Sequence, residues 1–297
     1  MVAKSKGKIT ENLYAIGNEG LPTFLLTGQA PVLFDAGMAF MGPAYFQDLE
    51  SHLGNAQRLR YLLLTHSHYD HCGSAPYLKR KIPGLKIGAS ARAAEVFKRP
   101  NAVQMIQNLS KEEEENFKSQ IGEENICFDK LDIDLPLEEG SEIDLEEEGK
   151  IKVVATPGHT RDSISFYLPW SKTLICGEAV GTISRDSSIR PQFLASYDDY
   201  LDSLEKISKL NIEILIMAHL HILKGEEARE HVSKTIEATR VFRQRVLDVL
   251  TEAHGNQEEA VNRIFHEDYE VKKIIWQEKR PYLINLTAQV KTVAEMP

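Results

Sequence analysis

Disulfide chemistry has almost no material in this sequence. Its 297 residues hold three cysteines, Cys72, Cys127 and Cys176. An odd, sparse count builds no disulfide framework and suits a reducing compartment. Long apolar runs are also missing: no stretch reaches the roughly 18 uninterrupted apolar residues of a spanning helix. The first residues, "MVAKSKGKITENLYAIG", are basic but lack the apolar core of a secretory signal. Positive charge is in deficit, with 35 Lys and Arg against 44 Asp and Glu, a formal net charge of −9. That balance disfavours nucleic acid and anionic membranes as partners. No internal repeat and no low-complexity segment occurs. These absences together give the expectation of a soluble cytoplasmic protein.

What is present is ordinary globular material, 42% hydrophobic and 27% charged. The length suits one large domain, or one domain and an extension. "NLYAIG", "PTFLLTG" and "PVLFDAG" read as short strands broken by Gly, Pro and Asn. "GPAYFQDLESHLG" reads as a helix closed by glycine. The apolar run of "RLRYLLLTH" is continuous, as in a strand buried on both faces. "LKIGAS" then reads as a strand, and "ARAAEVFKR" and "NAVQMIQNLSKEEEENFKSQIG" as helices, with Glu112 to Glu115 a solvated face. Strands return in "SEIDLEEEGKIKVVATPG", "SISFYLP", "KTLICGE" and "IEILIMAH". The amphipathic helix "YDDYLDSLEKISKL" lies among them. From about Lys224 the pattern is helical, with Val232, Ile236, Phe242, Val246 and Val249 on one stripe. Asn256 and Glu259 are spaced as a capping box. The expected organisation is a β-rich α/β domain over 1–225 and a helical C-terminal extension over 226–297.

Chemistry concentrates where apolar strands end. "LLLTHSHYDH" carries His66, His68, Asp70 and His71; "VVATPGHT" carries His159; "LICGEA" carries Glu178; "ILIMAHLH" carries His219 and His221. A sheet delivers such strand ends to one edge. Imidazole and carboxylate donors suit zinc, iron or manganese. In an extended segment His66 and His68 aim the same way, while Asp70 and His71 follow a bend. One tetrahedral ion does not easily take four adjacent side chains. Two ions roughly 3.5–4 Å apart do, given a bridging carboxylate, and Glu178 is the candidate. His52, His231, His254 and His266 are expected on exposed helical faces.

"THSHYDH" resembles the HxHxDH signature of the metallo-β-lactamase superfamily. "TPGHT", "CGE" and "AHLH" resemble its later motifs, and "LFDAG" its early Asp-Gly turn. The resemblance spans residues 9 to about 225. It implies a four-layer αβ/βα sandwich with two divalent ions at one edge, zinc by default and iron or manganese as alternatives. It places His66, His68 and His159 on the first ion, Asp70, His71 and His219 on the second, and Glu178 between them. The family usually has aspartate at this last position; glutamate is one methylene longer.

A narrower resemblance, carried by "YLLLTHSHYDHCGSAPYLKRKIPGLKIGAS" and the helical tail, is to the quinolone-signal response branch of that superfamily. It implies hydrolysis of a thioester, lactone or similar ester. The alternatives are a small phosphodiester, or a non-catalytic signalling role on the same scaffold. The implied nucleophile is a metal-bound hydroxide, with Asp70 orienting it or moving its proton. Thr65, Thr160 and Asp162 are candidates to hold the histidines' other nitrogens. The loop after Glu178 offers Arg185 and Arg190 for a substrate anion and Phe193 or Tyr197 for stacking, with His221 nearby. The extension is expected to cap the active-site edge or to form a homodimer surface.

Overall fold

The computed structural model of the chain describes residues 7–117, 124–219 and 221–296. The first sheet has seven strands in sequence order: Gly7–Lys8 (β1), Leu13–Asn18 (β2), Leu21–Leu26 (β3), Val32–Phe34 (β4), Tyr61–Leu63 (β5), Lys86–Ser90 (β6) and Leu135–Leu137 (β7). β1 to β4 pair antiparallel, whereas β4 to β7 run parallel through helical crossovers. The second sheet contains Glu142–Asp144 (β8), Lys150–Ala155 (β9), Ile164–Leu168 (β10) and Thr173–Ile175 (β11). A two-stranded hairpin, Thr182–Ile183 (β12) and Ile189–Arg190 (β13), follows. Ile214–Ile216 (β14) and Ile222–Lys224 (β15) complete the second sheet, whose order is β15-β14-β11-β10-β9-β8.

Alternation along the strands explains the continuous apolar runs. In β4, Val32 and Phe34 face the second sheet while Leu33 faces the outer helices; in β11, Ile175 faces inward and Leu174 outward. Phe34 and Phe166 meet across the sheets with ring centroids 5.6 Å apart. The outer face of the first sheet is covered by Gly42–Leu53 (α1), the single turn Tyr69–Cys72 (α2), Ala75–Lys81 (α3), Ala91–Phe97 (α4) and Pro100–Phe117 (α5). Tyr197–Ile207 (α6) and Glu226–Glu252 (α7) cover the second sheet, and Gln257–Phe265 (α8) and Lys279–Ala294 (α9) pack against α7 and each other in the same apolar cluster. The layers are therefore helix, sheet, sheet, helix, with additional helices at the C-terminal end, as expected.

Local chemistry sets the helix ends. Ser196 Oγ accepts from Asp199 N and starts α6; Asn256 Oδ1 accepts from Glu259 N and starts α8. Gly54, at φ 72°, ends α1. The buried stripe of α7 is Ala228, Val232, Thr235, Thr239, Phe242, Val246 and Leu250. Its two threonines donate to the carbonyls of His231 and Thr235 one turn back, so the stripe tolerates them. His231 lies on this buried face rather than in solvent, which corrects the sequence expectation: its Nε2 is 3.0 Å from the Val180 carbonyl and burial lowers its pKa to about 4. His52, His254 and His266 are exposed. The side chains of Glu112, Glu113 and Glu115 and residues 118–123 lie outside the described residues, as do residues 1–6 of the basic N-terminus and Leu220 of "AHLH". Among the described residues no helix is long and apolar enough to cross a membrane.

Candidate metal centre

Four strand ends deliver the site. β5 runs into His66, β9 into His159, β11 into Glu178 and β14 into His219. Two donor groups result, His66 with His68 and His159, and Asp70 with His71, Glu178 and His219; within each group the donor atoms lie within 4.8 Å of one another. The structure thus brings together all seven residues singled out as ligands. His66, His71, His159 and Glu178 are buried, while His68, Asp70 and His219 are half-buried and form the open side.

Each buried histidine is aimed by an oxygen that can only accept, or whose own hydrogen is committed elsewhere. His159 Nδ1 is 2.8 Å from the Gln192 carbonyl, so Nδ1 carries the proton and Nε2 keeps its lone pair. His71 Nδ1 is 2.8 Å from Asp35 Oδ2. His66 Nδ1 is 3.0 Å from Thr65 Oγ1, whose own hydrogen goes to the Asp35 carboxylate. The Nε2 atoms of all three therefore turn inward. His68 presents Nδ1 instead, 3.1 Å from His159 Nε2.

Glu178 sits between the groups. Its Oε1 is 3.0 Å from His71 Nε2 and 2.9 Å from His219 Nε2, and its Oε2 is 3.4 Å from His66 Nε2 and 3.7 Å from His159 Nε2. His66 Nε2 and Glu178 Oε2 are buried with no hydrogen-bond partner. Two buried acceptors facing each other cost about 1–3 kcal/mol each when unsatisfied. A divalent cation coordinated by both removes that cost, so the donor set fits a metal.

Two non-glycine residues of the site carry backbone strain. Asp35 and His219 hold left-handed φ of 62° and 68°, a conformation that costs non-glycine residues about 1–3 kcal/mol. Asp35 uses it to reach three partners: the Thr65 amide (2.7 Å), the Thr65 hydroxyl and His71. Gly158, at φ 132°, precedes His159 where a Cβ would meet the Tyr200 backbone at 2.4 Å. That close approach allows the Gly158 carbonyl to take the amides of Leu194, Ala195 and Ser196.

The charges are set by burial and by the carboxylates. Burial, with the other imidazoles, holds His66 well below its usual pKa despite Glu178, and takes His159 down to about 4. Burial also opposes a charge on His71, but Glu178, Asp35 and Asp70 outweigh it and hold His71 well above the ordinary range. Burial would raise Glu178, yet the surrounding histidines keep it well below the usual carboxylate range. These directions favour neutral His66 and His159 and a protonated His71, whose Nε2 hydrogen a bound metal would displace. Zinc loading is expected to release about one proton from the second group. Isothermal titration calorimetry in buffers of different ionisation enthalpy checks this, and uptake of two ions with no proton release contradicts it.

The other expected site residues divide. Thr65 touches His66 as expected. Asp162 Oδ2 accepts from Ser67 N at 2.8 Å, fixing the backbone between His66 and His68. Thr160 bonds Ser163 Oγ instead and serves its turn. Asp70 Oδ2 is 3.8 Å from His219 Nε2 and 4.0 Å from His71 Nε2. His221 is half-buried, with its pKa lowered by burial and by His219.

The loop after Glu178 departs from expectation. Arg190 is paired with buried Asp268 at 2.9 Å and with the Tyr282 hydroxyl at 3.0 Å, so its donors serve the fold. Arg185 donates to the Ile275 carbonyl and lies 4.2 Å from the Trp276 ring centroid. Phe193 is fully buried among Tyr197, Tyr200 and Phe242 and has no face for a substrate. Tyr197 is edge-on to Phe193, with Arg243 5.4 Å from its ring centroid. Sequence reasoning missed Asp35 and Gln192 as the groups that aim His71 and His159; the "LFDAG" turn was the one available signal for the first.

The sequence profile of the Metallo-beta-lactamase superfamily matches residues 19–219. The Beta-lactamase-like protein 2 homolog of Caenorhabditis elegans is 24% identical over 242 residues, covering 79% of this chain and 66% of that protein. The Atrochrysone carboxyl ACP thioesterase of Aspergillus fumigatus is 25% identical over 218 residues, covering 71% of this chain and 54% of that protein. The aligned region thus spans about two thirds and about half of these relatives' lengths. A metallo-beta-lactamase family protein of Thermus thermophilus superposes with a TM-score of 0.66 at 19% identity, covering 95% of this chain and 93% of that one. At that identity the likeness is one of fold.

Proposed function

Because the chain belongs to the metallo-beta-lactamase superfamily of hydrolases, we propose that it hydrolyses a small acyl compound, a thioester, lactone or similar ester, with two divalent ions. His66, His68 and His159 would hold the first ion and Asp70, His71 and His219 the second, with Glu178 shared. The observation that carries this reading is the pair of unpartnered buried acceptors, His66 Nε2 and Glu178 Oε2, at the meeting point of the two groups. The glutamate oxygens already face different groups, which favours bridging despite the extra methylene. Zinc suits the nitrogen-rich set; iron and manganese also fit.

When bound, such ions would lower the pKa of a coordinated water to about 7 and polarise the scissile carbonyl. The protein's own part is positional. Asp35, Thr65 and the Gln192 carbonyl hold the imidazoles in one tautomer, which removes a reorganisation step. Substrate approaches over His68, Asp70 and His219, the half-buried side, because the other ligands are buried. Asp70 Oδ2 stands at that side, 3.8 Å from His219 Nε2, where it can take the proton of the attacking water.

The Aspergillus fumigatus relative named as an acyl carrier protein thioesterase supports the acyl class. The phosphodiester alternative is disfavoured by Arg185 and Arg190, the cations of the loop after Glu178, because both are bound within the chain. A panel of chromogenic thioesters, lactones and phosphodiesters separates the readings. Turnover of an acyl substrate, lost with a chelator and restored by zinc, is expected; turnover of phosphodiesters alone rejects the proposal.

A further inference from the structure

The backbone carbonyl that aims His159 is held in place from the C-terminal helices. Gln192 lies in a strip, 190–194, that begins at the last residue of β13. Gln289 of α9, itself 2% exposed, donates to the Pro191 carbonyl at 2.8 Å. Thr292, one turn further along α9, donates to the Leu194 carbonyl at 2.9 Å. Arg190 is anchored to Asp268 and Tyr282. Carbonyls on both sides of Gln192 are thus fixed by one helix, and the residue before them by an ion pair. On its other edge the strip meets the site: the Gln192 carbonyl is on His159, and the Leu194 amide is on the Gly158 carbonyl at 3.1 Å. The helices touch the Glu178 loop in the same way, since His231 Nε2 and Thr235 Oγ1 of α7 both reach the Val180 carbonyl.

We infer that Gln289 and Thr292 are positioning residues for His159. They set the height of the 190–194 strip and hence the direction of the Gln192 carbonyl. That carbonyl keeps the proton on His159 Nδ1 and the Nε2 lone pair toward His66 and His68. The inference rests on reading His66, His68 and His159 as a metal group. Losing a partner that orients a ligating histidine lowers metal affinity roughly 10–100-fold. Gln289 acts one step further out, so the lower end of that range is expected.

The test uses the full-length chain in a His219→Ala background, where the tighter zinc ion reports on the first group. Zinc is titrated against a chromophoric chelator. Gln289→Met, which keeps the volume and removes the donor, is expected to weaken that ion about tenfold. Leu286→Ala, a buried truncation on the same helix that touches no residue of the strip by hydrogen bond, is expected to lower the melting temperature and leave zinc affinity unchanged. Thr292→Val, nearly isosteric and half-buried, gives the same direction with a smaller loss and serves if Gln289→Met does not fold. Equal affinity in the background protein and these variants overturns the inference, as does an equal loss in Leu286→Ala. A background protein that binds no zinc removes the metal reading itself, and this inference with it.

Discussion

Replacing His159 by alanine is expected to leave a folded chain that has lost one ion and about a thousandfold in hydrolytic turnover. His159 is buried, neutral at pH 7 and aimed by a single main-chain carbonyl. Its removal leaves His66 and His68 as two donors where three were arranged. Two imidazoles alone hold a divalent ion poorly, because the remaining positions fall to water. The transition-state stabilisation a metal supplies is several kcal/mol, and about 4 kcal/mol corresponds to the stated factor. The structural cost is smaller. The Gln192 carbonyl loses its partner, about 1–3 kcal/mol, which a domain of ordinary stability survives. Elemental analysis, circular dichroism and turnover on one sample check the three parts. Two ions retained with turnover unchanged contradicts the assignment.

Glu178→Gln is expected to weaken one of the two ions at least a hundredfold while keeping the fold. The wild-type carboxylate presents one oxygen to His71 and His219 and the other to His66 and His159. An amide offers one acceptor and turns a donor toward the opposite group, so it serves one ion at most. It also carries no charge against two cations, the larger part of the loss in a buried site. In the metal-free variant His71 loses a carboxylate that raises its pKa, so fewer protons are released when zinc binds. Glu178→Asp keeps the charge and shortens the arm, and is expected to retain more of the second ion than Glu178→Gln. Competitive zinc titration of the three proteins decides. Two unchanged affinities in Glu178→Gln would show that this residue bridges nothing.

The sandwich and the donor set are legible in the sequence because both are written in short-range patterns. Continuous apolar triplets such as Leu62 to Leu64 mark strands buried on both faces, and the histidines and Glu178 come directly after such strands. The residues that aim the ligands are hidden for a physical reason. Asp35 reaches His71 across 36 positions through a left-handed backbone, and Gln192 acts through its main chain, which no side-chain pattern reveals. Arg190 reads as a free cation because its partner, Asp268, lies 78 positions away and is fully buried. His231 misleads for a related reason: it looks like a surface helix residue until the Val180 carbonyl is seen to receive it. β1, β12 and β13 are two residues long, which leaves no period from which to find them.

Two groups of donors, sharing Glu178, are proposed to hold a pair of divalent ions. Elemental analysis of the full-length protein, purified without chelator and supplied with zinc, tests this most directly. About two divalent ions per chain, falling to about one in His159→Ala, is the result the proposed assignment predicts. A chain that binds none, with His66 and Glu178 intact, would contradict the account at its root.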